Sequence, residues 1–302
     1  RINKFSKNQT VLQEPSRRIL LTGAKGQVGR CFKERLPENW ELIAADSKTL
    51  DITDQAAVER MIQTFEPDAI VNAAGYTAVD DAEQDINKAF KINAQGVQNL
   101  AAASFQTGAR FIHLSSDYVF SGDANQAYQE TDSPNPRNIY GQSKLAGELL
   151  ALLANPDSII LRTAWVFSEH GNNFVKNILT AAETEDELSV ISDQVGNPTY
   201  AGDLAEAIIH ILEKPMFRQG LYHYCSVPPV SRYDLALATL QLAAGHDPEF
   251  KAPKLIPTSS HNGSSERAAR PSYTVLSCEK IHQAGIAASD WHVALANIIG
   301  KM

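Results

Sequence analysis

Short apolar, β-branched runs alternate with amphipathic stretches through the first half of the chain. "RRILLTG" (17–23), "ELIAAD" (41–46), "DAIVNAAG" (68–75), "RFIHLSS" (110–116) and "SIILRT" (158–163) predict five strands. "QVGRCFKERL" and "YGQSKLAGELLALLA" predict helices between them. "DQAAVERMIQTF" does so most clearly, because Val58, Met61, Ile62 and Phe65 fall on one helical face. Residues 85–107 read as one long helix. Strands alternating with helices imply right-handed crossovers and a parallel sheet covered on both faces. The expected class is α/β, a doubly wound parallel sheet of Rossmann type.

After Arg162 the rhythm loosens. "NNFVKNILTAAE", "AGDLAEAIIHILEK", "RYDLALATLQLAAG" and "DWHVALANIIG" read as helices, separated by Pro- and Gly-rich pieces such as "QVGNPT" and "CSVPPVS". This predicts a smaller, mostly helical lobe over 166–302 beside a dinucleotide-binding domain over 18–165. The helix at 200–214 is expected to return to the first domain. The polar residues 1–17 read as a flexible tail and lack the apolar region of a signal peptide. "HNGSSERAARPS" is the best candidate for a mobile loop, since Gly and Ser bury little apolar surface.

The formal net charge of −8 disfavours nucleic acid and anionic membrane as partners. No apolar run approaches the ~20 residues that span a bilayer. Cys31, Cys225 and Cys278 are far apart in sequence and odd in number. Neither a metal site nor a disulfide framework is expected, and the pattern fits a reducing cytoplasm.

Two stretches carry chemistry. "LLTGAKGQVGR" places Gly23, Gly26 and Gly29 after a strand and at the opening of a helix. Glycines there let a pyrophosphate approach the backbone, and the helix N-terminus offers amides around Gln27 and Val28. Steric demands of a tight turn alone would also explain glycine, but the strand–turn–helix context favours a dinucleotide. Asp46 ends the second strand about 20 residues on, where a carboxylate can hold the adenosine ribose or serve as an ordinary loop acid. A carboxylate there disfavours a 2′-phosphate, whereas Lys48 nearby would welcome one, so NADPH and NADH both remain open. Asp51 and Ile52 could flank the adenine, although Asp51 is equally reasonable as a helix N-terminal acid. Ala73, Ala74 and Gly75 would let a cofactor lie against the backbone, or simply allow close packing.

The second stretch is "NIYGQSK". Tyr140 and Lys144 stand four residues apart, one turn along a helix, and Ser116 ends the preceding strand. A phenol titrates near pH 10, and a neighbouring ammonium lowers that value. With a serine to hold the reacting oxygen, the set suits proton transfer to a carbonyl whose carbon receives hydride. A Tyr and a Lys at this spacing are common structural residues. The ordered ensemble with the glycine turn raises the catalytic reading.

These segments resemble the extended short-chain dehydrogenase/reductase superfamily. With "NAAGYTAVDDAE", "SSDYVFSG", "LRTAWVFS", "DQVGNPTYAGDLA" and "RAARPSYTVLS", the chain more narrowly resembles the dTDP-4-dehydrorhamnose reductase family from about Arg18 onward. The resemblance implies reduction of the 4-keto group of a dTDP-linked 6-deoxy sugar to give dTDP-L-rhamnose. By position, Ser116 would hold the keto oxygen where the family usually shows Thr. Tyr140 would donate the proton, and Lys144 would tune it and bind the nicotinamide ribose. Asp117 and Trp165 would contact the sugar, Asn93 would support the site, and Arg232, Arg267 and Arg270 are candidate diphosphate partners. Cys31 stands where some members carry a glutamate used in a metal-linked dimer, so no such magnesium site is expected. Monomer and homodimer both stay open. "SY" after "ARP" departs from the family pattern in the substrate loop. The rival readings are a reductase or epimerase of another nucleotide-linked keto sugar, and a non-catalytic dinucleotide-binding regulatory subunit.

Overall fold

A computed structural model describes residues 16–260 and 267–302. Most of the expected tail, and residues 261–266 of the expected loop, lie outside the described residues. The first half runs β1 (Arg18–Thr22), α1 (Gln27–Arg35), β2 (Glu41–Ala45), α2 (Gln55–Phe65), β3 (Ala69–Asn72), α3 (Val79–Ala82) and α4 (Ile86–Phe90). A π-helical stretch, Lys91–Gly96, then leads into α5 (Val97–Thr107), β4 (Arg110–Ser116), α6 (Ile139–Ala154) and β5 (Ile159–Thr163). The second half runs β6 (Val166–Phe167), α7 (Phe174–Ala182), β7 (Glu187–Ile191), β8 (Val195–Gly196), β9 (Thr199–Tyr200) and α8 (Ala201–Glu213). It closes with β10 (Gly220–His223), β11 (Val230–Ser231), α9 (Arg232–His246), β12 (Lys254–Thr258), α10 (Glu279–Gln283) and α11 (Trp291–Ile298).

The central sheet has the order β2-β1-β3-β4-β5-β10 and is parallel throughout. Its side chains sort by the two-residue period of a strand. Ile19, Leu21, Val71, Ile112 and Leu161 join Val28, Phe32, Leu204 and Ile208 on the side of α1 and α8. Leu20, Ile70, Phe111 and Ile160 join Val58, Ile62, Leu100 and Ala151 on the side of α2, α5 and α6. Strand order reverses between β1 and β3, which opens a crevice at the carboxyl ends of the strands.

Two features depart from the sequence expectation. The segment read as one long helix is broken by the π-helical stretch around Asn93. Close packing accompanies it: a Cβ on Gly147 of α6 would lie 2.0 Å from the Asn93 carbonyl, and one on Gly96 2.6 Å from Ile52. The sixth strand, β10, was not anticipated. Four residues opening with glycine are too short for a hydrophobic period to show.

In the second half, α7, α9 and α11 enclose Phe167, Val175, Leu235, Trp291 and Leu295. The parallel pair β7–β12 flanks them, and the two-residue pairs β8–β11 and β6–β9 tie the loops together.

Candidate active site

The glycine turn closes on the neighbouring strand end. Gly23 has φ of 71°, and a Cβ there would meet the Ala73 carbonyl oxygen at 2.3 Å. A Cβ on Gly29 would lie 2.3 Å from the Gly23 carbonyl oxygen. Both glycines are therefore demanded by the chain itself. Gly26 is different: the nearest atom to its Cβ would be 3.4 Å away, so nothing among the described residues requires glycine there. The first bond of α1 runs from the Arg30 amide to the Gly26 carbonyl, so the amides of Gln27, Val28 and Gly29 precede the helical ladder. A pyrophosphate fits this cradle.

The adenosine-side candidates are all engaged within the chain. The Asp46 carboxylate pairs with Lys25 and accepts from the Lys48 and Thr49 amides at 2.9 and 3.0 Å. The Lys25 partner, then those amides, hold its pKa well below the usual carboxylate range. Asp51 accepts from the Thr53 amide and hydroxyl at 2.9 and 2.7 Å, which lowers its pKa. Ile52 is buried, and its carbonyl accepts from Asn99 Nδ2 at 2.9 Å. Ala73 bonds back to the Thr22 carbonyl, and the Ala74 amide donates to Asn72 Oδ1. Gly75 faces Asn93 Oδ1 at 3.3 Å and Lys144 Nζ at 3.9 Å, measured from where its Cβ would be.

The fold brings Ser116, Tyr140 and Lys144 together at the sheet's carboxyl edge. Asn138 caps α6, its Oδ1 accepting from the Gly141 amide at 2.8 Å. Lys144 is 5 % exposed, and its Nζ donates to the Leu114 carbonyl at 2.6 Å. Burial lowers the lysine to about 8, with Glu148 pulling it back up. Enclosure pushes the Tyr140 phenol above its ordinary value, opposed by a hydrogen bond with Ser116 and reinforced by the Asp117 charge. The sequence reading expected a lysine-lowered phenol. Instead enclosure is the largest influence on the phenol, and it acts upward. Asn93 stitches the site's walls, accepting from the Tyr76 amide at 2.8 Å and donating to the Tyr76 carbonyl and Ser143 Oγ at 3.0 Å each.

The residues expected to touch a sugar sit differently from one another. Asp117 is 3 % exposed and turned inward, accepting from Thr274 Oγ1 at 2.6 Å and Ser116 Oγ at 3.2 Å. Desolvation raises its pKa to about 6. Trp165 is half-buried with φ of 45°, a left-handed conformation that is costly for a bulky residue. The Arg232 guanidinium covers its ring at 3.6 Å, and Gly196 packs so closely that a Cβ would reach the ring at 2.8 Å. The flat open face expected of Trp165 is thus partly occupied by the chain itself. Arg270 is held by Asp80 at 2.7 and 3.1 Å, and Arg267 is exposed. Arg232 alone of the three arginines stacks directly on a candidate sugar residue.

Three sets of side-chain contacts join residues too far apart in sequence to be read from it. Glu148, Arg162, Ser115 and His223 form a buried network beneath Lys144. Gln27 Oε1 accepts from Ser168 Oγ and Asn173 Nδ2 at 2.8 and 3.0 Å, joining the glycine turn to the segment between β6 and α7. Thr22, Asn72 and His113 run as a buried chain under the strand ends. An acid at position 148, one turn beyond Lys144 on an otherwise apolar face, was the one available signal.

A doubly wound parallel sheet, a glycine turn opening its first helix and a Tyr–Lys helix at its carboxyl edge define a dinucleotide-dependent oxidoreductase of the extended short-chain type. The family model described as RmlD substrate binding domain matches residues 17–302, and the chain belongs to that family, the dTDP-4-dehydrorhamnose reductases. It is 43 % identical over 288 residues to the dTDP-4-dehydrorhamnose reductase of Aggregatibacter actinomycetemcomitans, covering 93 % of this chain and 98 % of that protein. It is 39 % identical over 279 residues to the spore coat polysaccharide biosynthesis protein SpsK of Bacillus subtilis (strain 168), covering 92 % and 95 %. The crystal structure of dTDP-4-dehydrorhamnose reductase from Bacillus anthracis in complex with NADP superposes with a TM-score of 0.89 at 33 % identity, covering 95 % and 100 %.

Proposed function

We propose that this chain reduces the 4-keto group of dTDP-4-dehydro-L-rhamnose to give dTDP-L-rhamnose, with NADPH or NADH as the second substrate. The observation that carries the reading is the Ser116–Tyr140 hydroxyl pair at the carboxyl edge of the sheet, backed by the buried Lys144.

The nicotinamide supplies the hydride when bound; the chain's own residues supply the rest. Gly23, Gly26, Gly29 and the amides of Gln27 and Val28 cradle the pyrophosphate. The Ala73–Gly75 run, Ile52 and Asp51 line the path toward the adenine. To Asp46 we assign the ribose, which it would meet with Lys25 and the Lys48 amide already on its carboxylate. Ser116 would hold the keto oxygen by turning toward it the one hydroxyl proton that it otherwise donates to Asp117. Tyr140, its phenol pushed up by enclosure, gives its proton to that oxygen as negative charge develops there. To Lys144 we assign the ammonium that would stabilise the resulting phenolate. To Trp165, with Arg232 stacked on it, we assign the sugar side, and to Arg232 the substrate diphosphate. No described helix is long and apolar enough to cross a membrane, and we assign the enzyme to the cytoplasm as a monomer or homodimer.

The test is oxidation of NADPH and NADH, followed at the nicotinamide absorbance, with dTDP-4-dehydro-L-rhamnose. Tyr140→Phe should lose roughly 10²–10⁴-fold in kcat with dinucleotide affinity unchanged. Absent turnover in the parent chain, with dinucleotide binding intact, would instead support another keto sugar or the regulatory-subunit reading.

A further inference from the structure

Away from the cleft, α1 and the loop after β6 converge on a second cluster of chemically distinct side chains. The Cys31 thiol, the Glu34 and Glu169 carboxylates and the His170 imidazole each present a ligand atom within 4.8 Å of the others. Cys31 is 0 % exposed, and both carboxylates act on its thiol. His170 Nε2 lies 2.7 Å from Glu34 Oε1, yet that nitrogen is buried without a directed hydrogen bond. A buried thiol is ordinary packing, and Arg35 lies beside both it and Glu34. The convergence of thiol, imidazole and two carboxylates on one point is the arrangement that suits a cation.

We propose that these four side chains bind Zn²⁺ within one chain, as a structural site. Thiolate, imidazole and two carboxylates make a closed four-coordinate shell, and Zn²⁺ accepts all three ligand types. Metal–ligand bonds of about 2.0–2.3 Å put tetrahedral ligand atoms roughly 3.5 Å apart, so the widest pair must close by about 1 Å. Side-chain rotation of Glu34 and Glu169 covers that distance. The thiol proton is released to solvent as the Zn–S bond forms. An all-oxygen ion such as Mg²⁺ has no use for the sulfur or the imidazole.

The surroundings already resemble an outer shell. The Tyr200 hydroxyl contacts both Glu169 carboxylate oxygens at 3.2 Å, and Arg35 donates to Tyr200 at 3.1 Å. Such contacts orient ligating carboxylates. The location gives the site a consequence. Cys31 and Glu34 lie on the helix that the glycine turn opens, while Glu169 and His170 follow Ser168, which bonds Gln27. A metal here clamps the dinucleotide-binding helix to the second lobe on the same seam that Gln27 latches. The ligand halves are too far apart in sequence for their spacing to have announced the site.

The experiment uses the full chain dialysed against a chelator and titrated with Co²⁺ as a spectroscopic stand-in for Zn²⁺. Expected are one equivalent bound, visible bands of tetrahedral intensity, a thiolate-to-metal charge-transfer band, and displacement by Zn²⁺ but not Mg²⁺. Zn²⁺ should also raise Tm in a concentration-dependent way. Cys31→Ser should abolish the charge-transfer band, and His170→Ala should weaken Co²⁺ at least tenfold. Should Cys31→Ser fail to fold, the partly exposed His170→Ala and Glu169→Gln carry the test. Cys225 and Cys278 offer a rival thiol pair with sulfurs 3.3 Å apart. The Cys225→Ser/Cys278→Ser variant should therefore keep the band. A band that follows Cys225 and Cys278, no saturable binding, or Zn²⁺ leaving Tm unmoved would overturn the proposal.

Discussion

Glu148→Gln removes one charge from beneath the proposed catalytic helix while keeping the side chain's shape. Glu148 and Arg162 are each 2 % exposed. The guanidinium reaches the carboxylate through Nε and Nη2, both at 2.8 Å, and Ser115 Oγ donates to it at 2.5 Å. Arg162 also lies against His223 at 3.4 Å and over the Phe120 ring at 4.9 Å. With the carboxylate gone, a guanidinium stays buried without its counter-charge. That typically costs about 3–5 kcal/mol, a large share of the roughly 5–15 kcal/mol that holds a domain folded. Urea unfolding should show the midpoint falling with m unchanged, and Tm should drop on the order of 10 °C. A loss under about 1 kcal/mol would mean that Arg162 regains solvent on its own, and the pair would not matter to the fold.

The same variant has a catalytic readout. Burial lowers Lys144 to about 8, and Glu148, one turn further along α6, is the group holding it up. Without Glu148 the lysine falls further. Turnover that needs the ammonium should therefore lose its alkaline limb at lower pH than the parent. The double variant Glu148→Met/Arg162→Met separates the effects: an apolar pair of similar volume should recover stability, but not the position of the limb. An alkaline limb identical in parent and Glu148→Gln would remove Lys144's charge from the mechanism.

Other expectations follow from the same geometry. Lys144→Met should abolish turnover yet stabilise the chain at pH 7. The lysine's folded pKa of about 8 lies below its ordinary 10.5, so its buried charge costs up to about 3 kcal/mol below pH 8. That cost is relieved as pH rises from 8 to 10.5, so urea melts at pH 7 and pH 10 should show the gain only at the lower pH. Asp117 has the opposite linkage: its folded pKa of about 6 lies above 3.8, so its contribution is full below pH 3.8 and lost as pH rises through 6. Asp117→Asn should flatten stability against pH between 4 and 6, and an unchanged slope would place the titration elsewhere. Gly26→Ala should fold normally and lose dinucleotide affinity, measured by fluorescence titration, whereas Gly23→Ala should fail to fold because its Cβ meets the Ala73 carbonyl.

What the sequence disclosed were features carried by neighbours along the chain. Strand runs such as "RFIHLSS" and the stripe Val58–Met61–Ile62–Phe65 show their period directly, and the structure places both where that period requires. The glycine turn and the Tyr140–Lys144 spacing are equally local. What stayed hidden depends on residues far apart. Asp46 looks unpartnered in sequence, yet Lys25 and two turn amides already engage it. Asp117 reads as a polar residue at a strand end, and only Thr274, contributed from near the other end of the chain, turns it inward. Trp165 could be read as an open platform until Arg232, opening α9, was seen to lie on it.

These hidden contacts share one electrostatic sense. Tyr140 is pushed up, Lys144 down, Asp117 up and Arg232 down, each with burial as the largest cause. These four groups are thus each pressed toward their neutral form. A site built only to hold the fold together would pair these groups off, as Glu148 and Arg162 are paired. Here Lys144 rests on a backbone carbonyl, and Arg232 lies on an indole ring with the Tyr118 hydroxyl and Asp117 nearby rather than in a paired salt bridge. Both cations therefore stand ready for negative charge that the chain itself supplies sparingly. A dinucleotide and a nucleotide-linked sugar each bring a diphosphate, and proton transfer from Tyr140 leaves a phenolate. The desolvation that makes the ligand-free site costly makes those charges worth more once they arrive.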